Sequence, residues 1–151
     1  PEYKVIYSKT NITNENIVVT IKANEELKEL SDWTLSSDKK TLTKTYTSNV
    51  NETITIYDLF GNKSDVKIQI NNTDKVKPIA KVNYSTTTQT SDSVTVTIKA
   101  SEKIVGIEGW LLSPDELTLT KMFDKNSTET VTIRDLAGNY TTVSVIVANI
   151  I

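Results

Sequence analysis

The sequence predicts an all-β protein built as two tandem β-sandwich domains. Three observations carry this expectation. Apolar and polar residues alternate in short runs along the chain. Threonine, which favours strands, occurs 24 times in 151 residues. The chain also writes one pattern twice at a constant offset of 77 residues, so that Trp33 matches Trp110 and Lys44 matches Lys121. Residues 1–74 laid on 78–151 share roughly 32 identities, about 43%, without a gap. A period this long suits a complete small domain rather than one turn of a solenoid. Length alone suggests one domain of about 150 residues; the repeat replaces it with two, at 1–74 and 75–151.

The elements follow in order within each copy. Tyr3, Val5 and Tyr7, with Ala80, Val82 and Tyr84 in the second copy, mark a first strand. Ile17, Val19, Ile21 and Ala23 alternate with polar residues, and Val94, Val96, Ile98 and Ala100 repeat the pattern. That is a half-buried strand of period 2. A further strand is expected through Trp33 and Trp110. Leu42 to Tyr46 and Leu119 to Phe123 form the next, and here Lys44 and Lys121 fall on the apolar parity. Ile54 and Ile56, with Val131 and Ile133, define another strand. Val66, Ile68 and Ile70, with Val143, Val145 and Val147, define the last. Leu27 to Leu30 is long enough for a single helical turn at most.

The turns agree with the strands. Asp58-Leu59-Phe60-Gly61-Asn62 and Asp135-Leu136-Ala137-Gly138-Asn139 sit between the last two strands of each copy. Glycine takes positive φ cheaply and aspartate accepts backbone N–H groups, so a type I turn with a glycine bulge is expected. Ser36 to Lys40 and Ser113 to Glu116 form a second turn. Asn71 to Lys77 is short and polar and reads as an interdomain linker.

Composition removes several chemistries. The chain has no histidine and no cysteine. This excludes a Ser–His–Asp triad, a Cys–His pair, a disulfide framework and histidine- or thiolate-based metal sites. With 17 basic and 19 acidic residues the net charge is −2, which argues against a nucleic-acid partner. No apolar run approaches the ~18 residues of a membrane span. Pro1-Glu2-Tyr3-Lys4 carries neither an initiator methionine nor a signal peptide, and the chain reads as a piece of something longer.

Taken together, Pro-x-Ala-x-Val-x-Tyr-Ser from Pro78, Val-x-Val-Thr-Ile-x-Ala-x-Glu from Val94, Gly-Trp-x-Leu-Ser from Gly109 and Glu-Thr-Val-Thr-Ile-x-Asp-Leu-Ala-Gly-Asn from Glu129 resemble bacterial immunoglobulin-like repeats. Such repeats occur in tandem in surface and secreted proteins of Gram-positive bacteria of the clostridial type. The first copy matches too, but replaces Gly109 by Asp32 and Ala137 by Phe60. The resemblance implies an immunoglobulin-like sandwich, an extracellular location at the cell surface or in secreted form, and a role as stalk, spacer or adhesin unit.

Several side chains invite a functional role. Trp33 and Trp110 suit either a sugar-stacking platform or core packing on a central strand; packing is preferred, because a repeated aromatic is what repeated packing requires. Tyr7 and Tyr84 fall on the core parity. Asp58, Asp135, Glu25 and Glu102, with Asn71, Asn72, Thr73 and Asp74, could supply calcium ligands. No dense acidic run is present, however, and turn capping by the aspartates is preferred. A Lys–Asn cross-link from Lys4 or Lys81 to Asn72 or Asn149 is opposed by parity. Lys44 and Lys121 would need a partner such as Asp58 or Asp135 if buried, or would snorkel to the surface. A two-carboxylate glycosidase lacks an evident pair of acids.

The expectation is therefore a non-catalytic spacer without catalytic residues, bound metal or cofactor, and with no ligand-binding residue identifiable. Its partners are neighbouring domains of the same chain, and it is monomeric. Strands of 7–8 residues imply a pair spanning about 60–80 Å. The alternative is an adhesin unit that binds a host glycoprotein or polysaccharide through loops at one end.

Overall fold

In a computed structural model covering residues 1–151, the chain is all-β, without a helix. It divides into two units, Pro1–Asp74 and Lys75–Ile151. The first contains β1 (Tyr3–Tyr7), β2 (Ile17–Ala23), β3 (Thr34–Leu35), β4 (Thr41–Tyr46), β5 (Val50–Tyr57) and β6 (Lys63–Ile70). One antiparallel sheet has the order β1-β2-β4-β3, and β5 pairs with β6 in a second. Two isolated bridges complete the unit: Leu27 pairs antiparallel with Asp58, and Thr13 pairs parallel with Thr73.

The core draws on both sheets. Ile17, Val19 and Ile21 of β2 and Leu42 and Tyr46 of β4 meet Ile56 of β5 and Val66, Ile68 and Ile70 of β6. Register explains the match, because Ile21 lies opposite Leu42 and Ile17 opposite Tyr46. Each fully buried isoleucine contributes about 1.5–3 kcal/mol relative to leaving it in water. The polar residues between them point outward, as period 2 requires.

The second unit contains β7 (Ala80–Tyr84), β8 (Val94–Ala100), β9 (Leu111–Leu112), β10 (Thr118–Phe123), β11 (Ser127–Arg134) and β12 (Tyr140–Val147). Its sheets are β7-β8-β10-β9 and β11-β12, with bridges from Ile104 to Asp135 and from Thr90 to Ile150. Val94, Val96, Ile98, Leu119, Phe123, Val131, Ile133, Val145 and Val147 form its core.

Three expectations need correction. The strand expected through Trp33 and Trp110 starts one residue later and has two residues, on the sheet edge rather than at its centre. The preceding Asp32 and Gly109 have φ of 71° and 85°, which breaks extended backbone ahead of each tryptophan. The polar stretch from Asn71 is not all linker. Asn72, Thr73 and Asp74 hydrogen-bond into the first unit. Tyr3, expected inward, is 41% exposed and uses its hydroxyl to reach the Asp65 carbonyl at 3.0 Å.

Candidate functional site

The residues with most chemistry gather around each tryptophan. In the second unit, Trp110 meets Phe123 edge to face, with ring centroids 6.2 Å apart and an interplanar angle of 67°. Lys121 of β10 and Glu129 of β11 come from different sheets. The Lys121 ammonium donates to both Glu129 oxygens, at 3.4 and 3.2 Å, and the Trp110 indole N–H donates to Glu129 Oε1 at 3.2 Å. Lys121 Nζ also lies 4.9 Å from the Phe123 ring centroid and 5.7 Å from that of Trp110. Trp110, Lys121 and Glu129, with Glu108, Thr130 and Thr132, line an open cavity of about 420 Å³.

The first unit repeats the aromatic contact but not the polar one. Trp33 meets Tyr46 at 6.2 Å and 70°. Tyr46 donates its hydroxyl to Glu52 Oε1 at 2.5 Å, and Lys44 Nζ sits 4.7 Å from the Tyr46 ring centroid. Burial first, and the Glu52 carboxylate second, hold the Tyr46 phenol well above its ordinary value of 10.0. The partner of an inward lysine is therefore a glutamate in the second unit, Glu129, rather than the expected Asp135. The sequence carries a signal for it. Glu52 and Glu129 share parity with Ile54, Ile56, Val131 and Ile133, so an inward acid lies in the first half of the strand that follows each inward lysine.

The aspartate turns have their own geometry. Asp58 Oδ1 accepts the N–H groups of Phe60 and Asn62 at 2.9 and 2.8 Å, and Oδ2 accepts the Asn62 side-chain amide at 2.8 Å. Asp135 does the same with Ala137, Asn139 and the Asn139 amide, each at 2.9 Å. Gly61 and Gly138 take φ of 87° and 99°. Burial alone would raise the Asp58 carboxyl, but these donors outweigh it and lower the pKa. Among the residues weighed for calcium, a Glu102 oxygen lies within 4.8 Å of an Asp135 oxygen. Within the second unit this brings two carboxylates together, against the six to eight oxygens that surround calcium. Phe60, the departure from Ala137, stands 91% exposed at its turn and asks nothing of the core.

Asn72 and Asn149, weighed as cross-link partners, hold the two ends of each unit side by side. Asn72 Nδ2 donates to the Lys9 and Asn11 carbonyls at 3.1 and 2.8 Å, while Lys4 lies exposed on β1. Thr13 N–H donates to the Asn72 carbonyl at 2.9 Å, and Asp74 N–H to the Thr13 carbonyl at 2.8 Å. The second unit repeats each bond, from Asn149 to the Thr86 and Thr88 carbonyls and through Thr90 to Asn149 and Ile151. The Asn49 amide also exchanges two bonds with the Thr73 backbone, as Asn126 does with Ile150. Tyr7 and Tyr84 are half-buried, and their hydroxyls accept N–H groups of Gln69 and Ile146 on the outer edge of the last strand. Comparison with models of protein families, with curated proteins and with solved structures finds no match.

Proposed function

We propose that the chain is a non-catalytic pair of immunoglobulin-like modules, acting as a stalk or spacer in a larger cell-surface or secreted protein. The strand order supports the immunoglobulin-like reading. β1, β2, β4 and β3 fill the places of strands A, B, E and D, and β5 and β6 those of F and G. The Leu27 bridge to Asp58 stands where strand C would lie.

The observation that carries the spacer reading is the clamp between the first and last segments of each unit. These segments run parallel, Thr13 beside Thr73 and Thr90 beside Ile150. Tension applied at the two ends of a unit pulls such segments in opposite directions along their axes. Their hydrogen bonds are then loaded together in shear rather than opened one at a time. A module whose work is to transmit force or hold distance benefits from that geometry in every copy.

Single-molecule pulling tests the proposal. The chain has no cysteine, so engineered cysteines attach uniquely. Cysteines at Pro1 and Asp74 load the clamp in shear. Cysteines at Ser48 and Asp74 peel β5 from β6, since Val50 lies opposite Ile70. The shear geometry is expected to rupture at the higher force, and Asn72→Ala to lower only that force. Equal forces in the two geometries, unaffected by Asn72→Ala, would overturn the spacer reading.

A further inference from the structure

We propose that the Trp110 cleft of the second unit is a binding site for a neutral pyranose residue of a glycan. The cavity of about 420 Å³ falls within the range of small-ligand sites, roughly 300–1,000 Å³. Its lining combines one indole with the two carboxylates Glu108 and Glu129, an ammonium, and Thr130 and Thr132. A pyranose has the matching make-up, with an apolar face of C–H groups and a rim of hydroxyls that both donate and accept. The cluster keeps capacity for such hydroxyls. Glu129 accepts three bonds of about four it can take, and the Lys121 ammonium has three protons to share. The Lys121–Glu129 pair balances its own charge and Glu108 adds a negative one, which favours a neutral sugar over an anionic one. Both partners remain about a third exposed, at 31% and 30%, so a ligand can reach them.

The fold does not require this arrangement. The first unit builds the same sheets and the same aromatic contact with Tyr46 occupying Glu52. Its Trp33 cavity is lined instead by Glu29, Leu30, Ser31 and Leu35. Binding is therefore assigned to the second unit alone, and the first serves as an internal control.

The test is a titration of the whole isotope-labelled chain with three neutral probes: cellotetraose, tetra-N-acetylchitotetraose and lacto-N-tetraose. At least one is expected to move the Trp110 indole N–H resonance with a Kd on the order of 0.1–1 mM, leaving that of Trp33 in place. Trp110→Ala should abolish the response. Since that variant also loses packing, Phe123→Tyr provides a second arm. It leaves every cleft-lining residue in place but offers Glu129 the hydroxyl that Glu52 receives in the first unit, and should weaken binding about tenfold. Tyr46→Phe should leave binding unchanged. The proposal is overturned if none of the probes moves Trp110 at about 10 mM, if Trp33 moves equally, or if Phe123→Tyr binds as tightly as the parent.

Discussion

Tyr46 and Phe123 occupy the same place in the two units, each edge to face with a tryptophan at 6.2 Å. They differ by one hydroxyl; a lysine rests over both rings, but the hydrogen bonds to the neighbouring glutamate differ. With the hydroxyl, Glu52 is bonded by Tyr46, and Lys44 rests over the ring. Without it, Glu129 takes bonds from Trp110 and Lys121. Neither unit leaves a buried side-chain nitrogen or oxygen without a partner. An acid on the inward parity of a strand must be satisfied, since an unpaired polar group away from water costs about 1–3 kcal/mol. The apolar core is indifferent to how this is achieved. The shared core fixes the fold, and the choice of donor decides whether a lysine–glutamate pair lines the cleft beside the tryptophan.

Where the units are alike, matched substitutions should have matched effects. Asp135→Ala removes the acceptor of three hydrogen bonds that close a turn and is expected to destabilise the second unit by about 3 kcal/mol. Asp58→Ala should lower the melting temperature of the first unit in the same way. Trp33 and Trp110 allow each unit to be followed separately, through thermal or urea unfolding of the Trp33→Phe and Trp110→Phe backgrounds. If Asp135→Ala left the Trp110-reported transition in place, the aspartate would be a bystander to the turn.

Where the units differ, exchange should move one toward the other. Tyr46→Phe is expected to destabilise the first unit by about 1–2 kcal/mol, with Lys44 becoming the nearest donor for Glu52. The same contrast appears with pH. The raised Tyr46 pKa adds stability that is complete below the unfolded value of 10.0 and is lost as pH rises through the folded value. The first unit should therefore weaken between neutral pH and about pH 11 relative to the second, where Phe123 has nothing to ionise. Tyr46→Phe should remove the difference. In acid the units should weaken together. Ser36 and Ser113 hydroxyls, followed by backbone N–H groups, hold Asp38 and Asp115 below 3.8. That stability is present above the unfolded pKa and lost as pH falls through the folded one. Urea unfolding at several pH values, read at each tryptophan, tests both limbs.

The strands were legible because their information is local. Ile17, Val19 and Ile21 state their inward face within five residues, and the second copy repeats it with Val94, Val96 and Ile98. The aspartate turns were legible for the same reason, each completed within a pentapeptide. What escaped depends on distant contacts. Lys121 faces inward by parity, yet its carboxylate partner comes from the next strand, in the other sheet. Asn72 and Asn149 looked like linker or cross-link residues because an amide that clamps carbonyls about 60 residues away has the same composition as a solvated loop. Alternation points to a central strand for the tryptophans, because it does not reveal that the preceding residue turns left-handed.

That preceding residue yields the smallest expected effect and the finest comparison. Asp32 and Gly109 share the same left-handed backbone, at φ of 71° and 85°. For a residue with a Cβ this region costs about 1–2 kcal/mol, less for aspartate than for most, while glycine adds about 0.5–1 kcal/mol of unfolded-state freedom. Asp32→Gly should therefore stabilise the first unit by less than about 1 kcal/mol. Gly109→Ala should destabilise the second by about 1 kcal/mol through backbone strain. The new methyl has room, since its nearest neighbour is Lys121 Nζ at 3.9 Å. The ion pair should survive, and the Trp110 indole resonance should stay where it is. A shifted resonance in Gly109→Ala would mean that the turn itself positions the indole for Glu129. The left-handed residue would then belong to the cleft, and the contrast between the units would begin at Asp32 and Gly109 rather than at Tyr46 and Phe123.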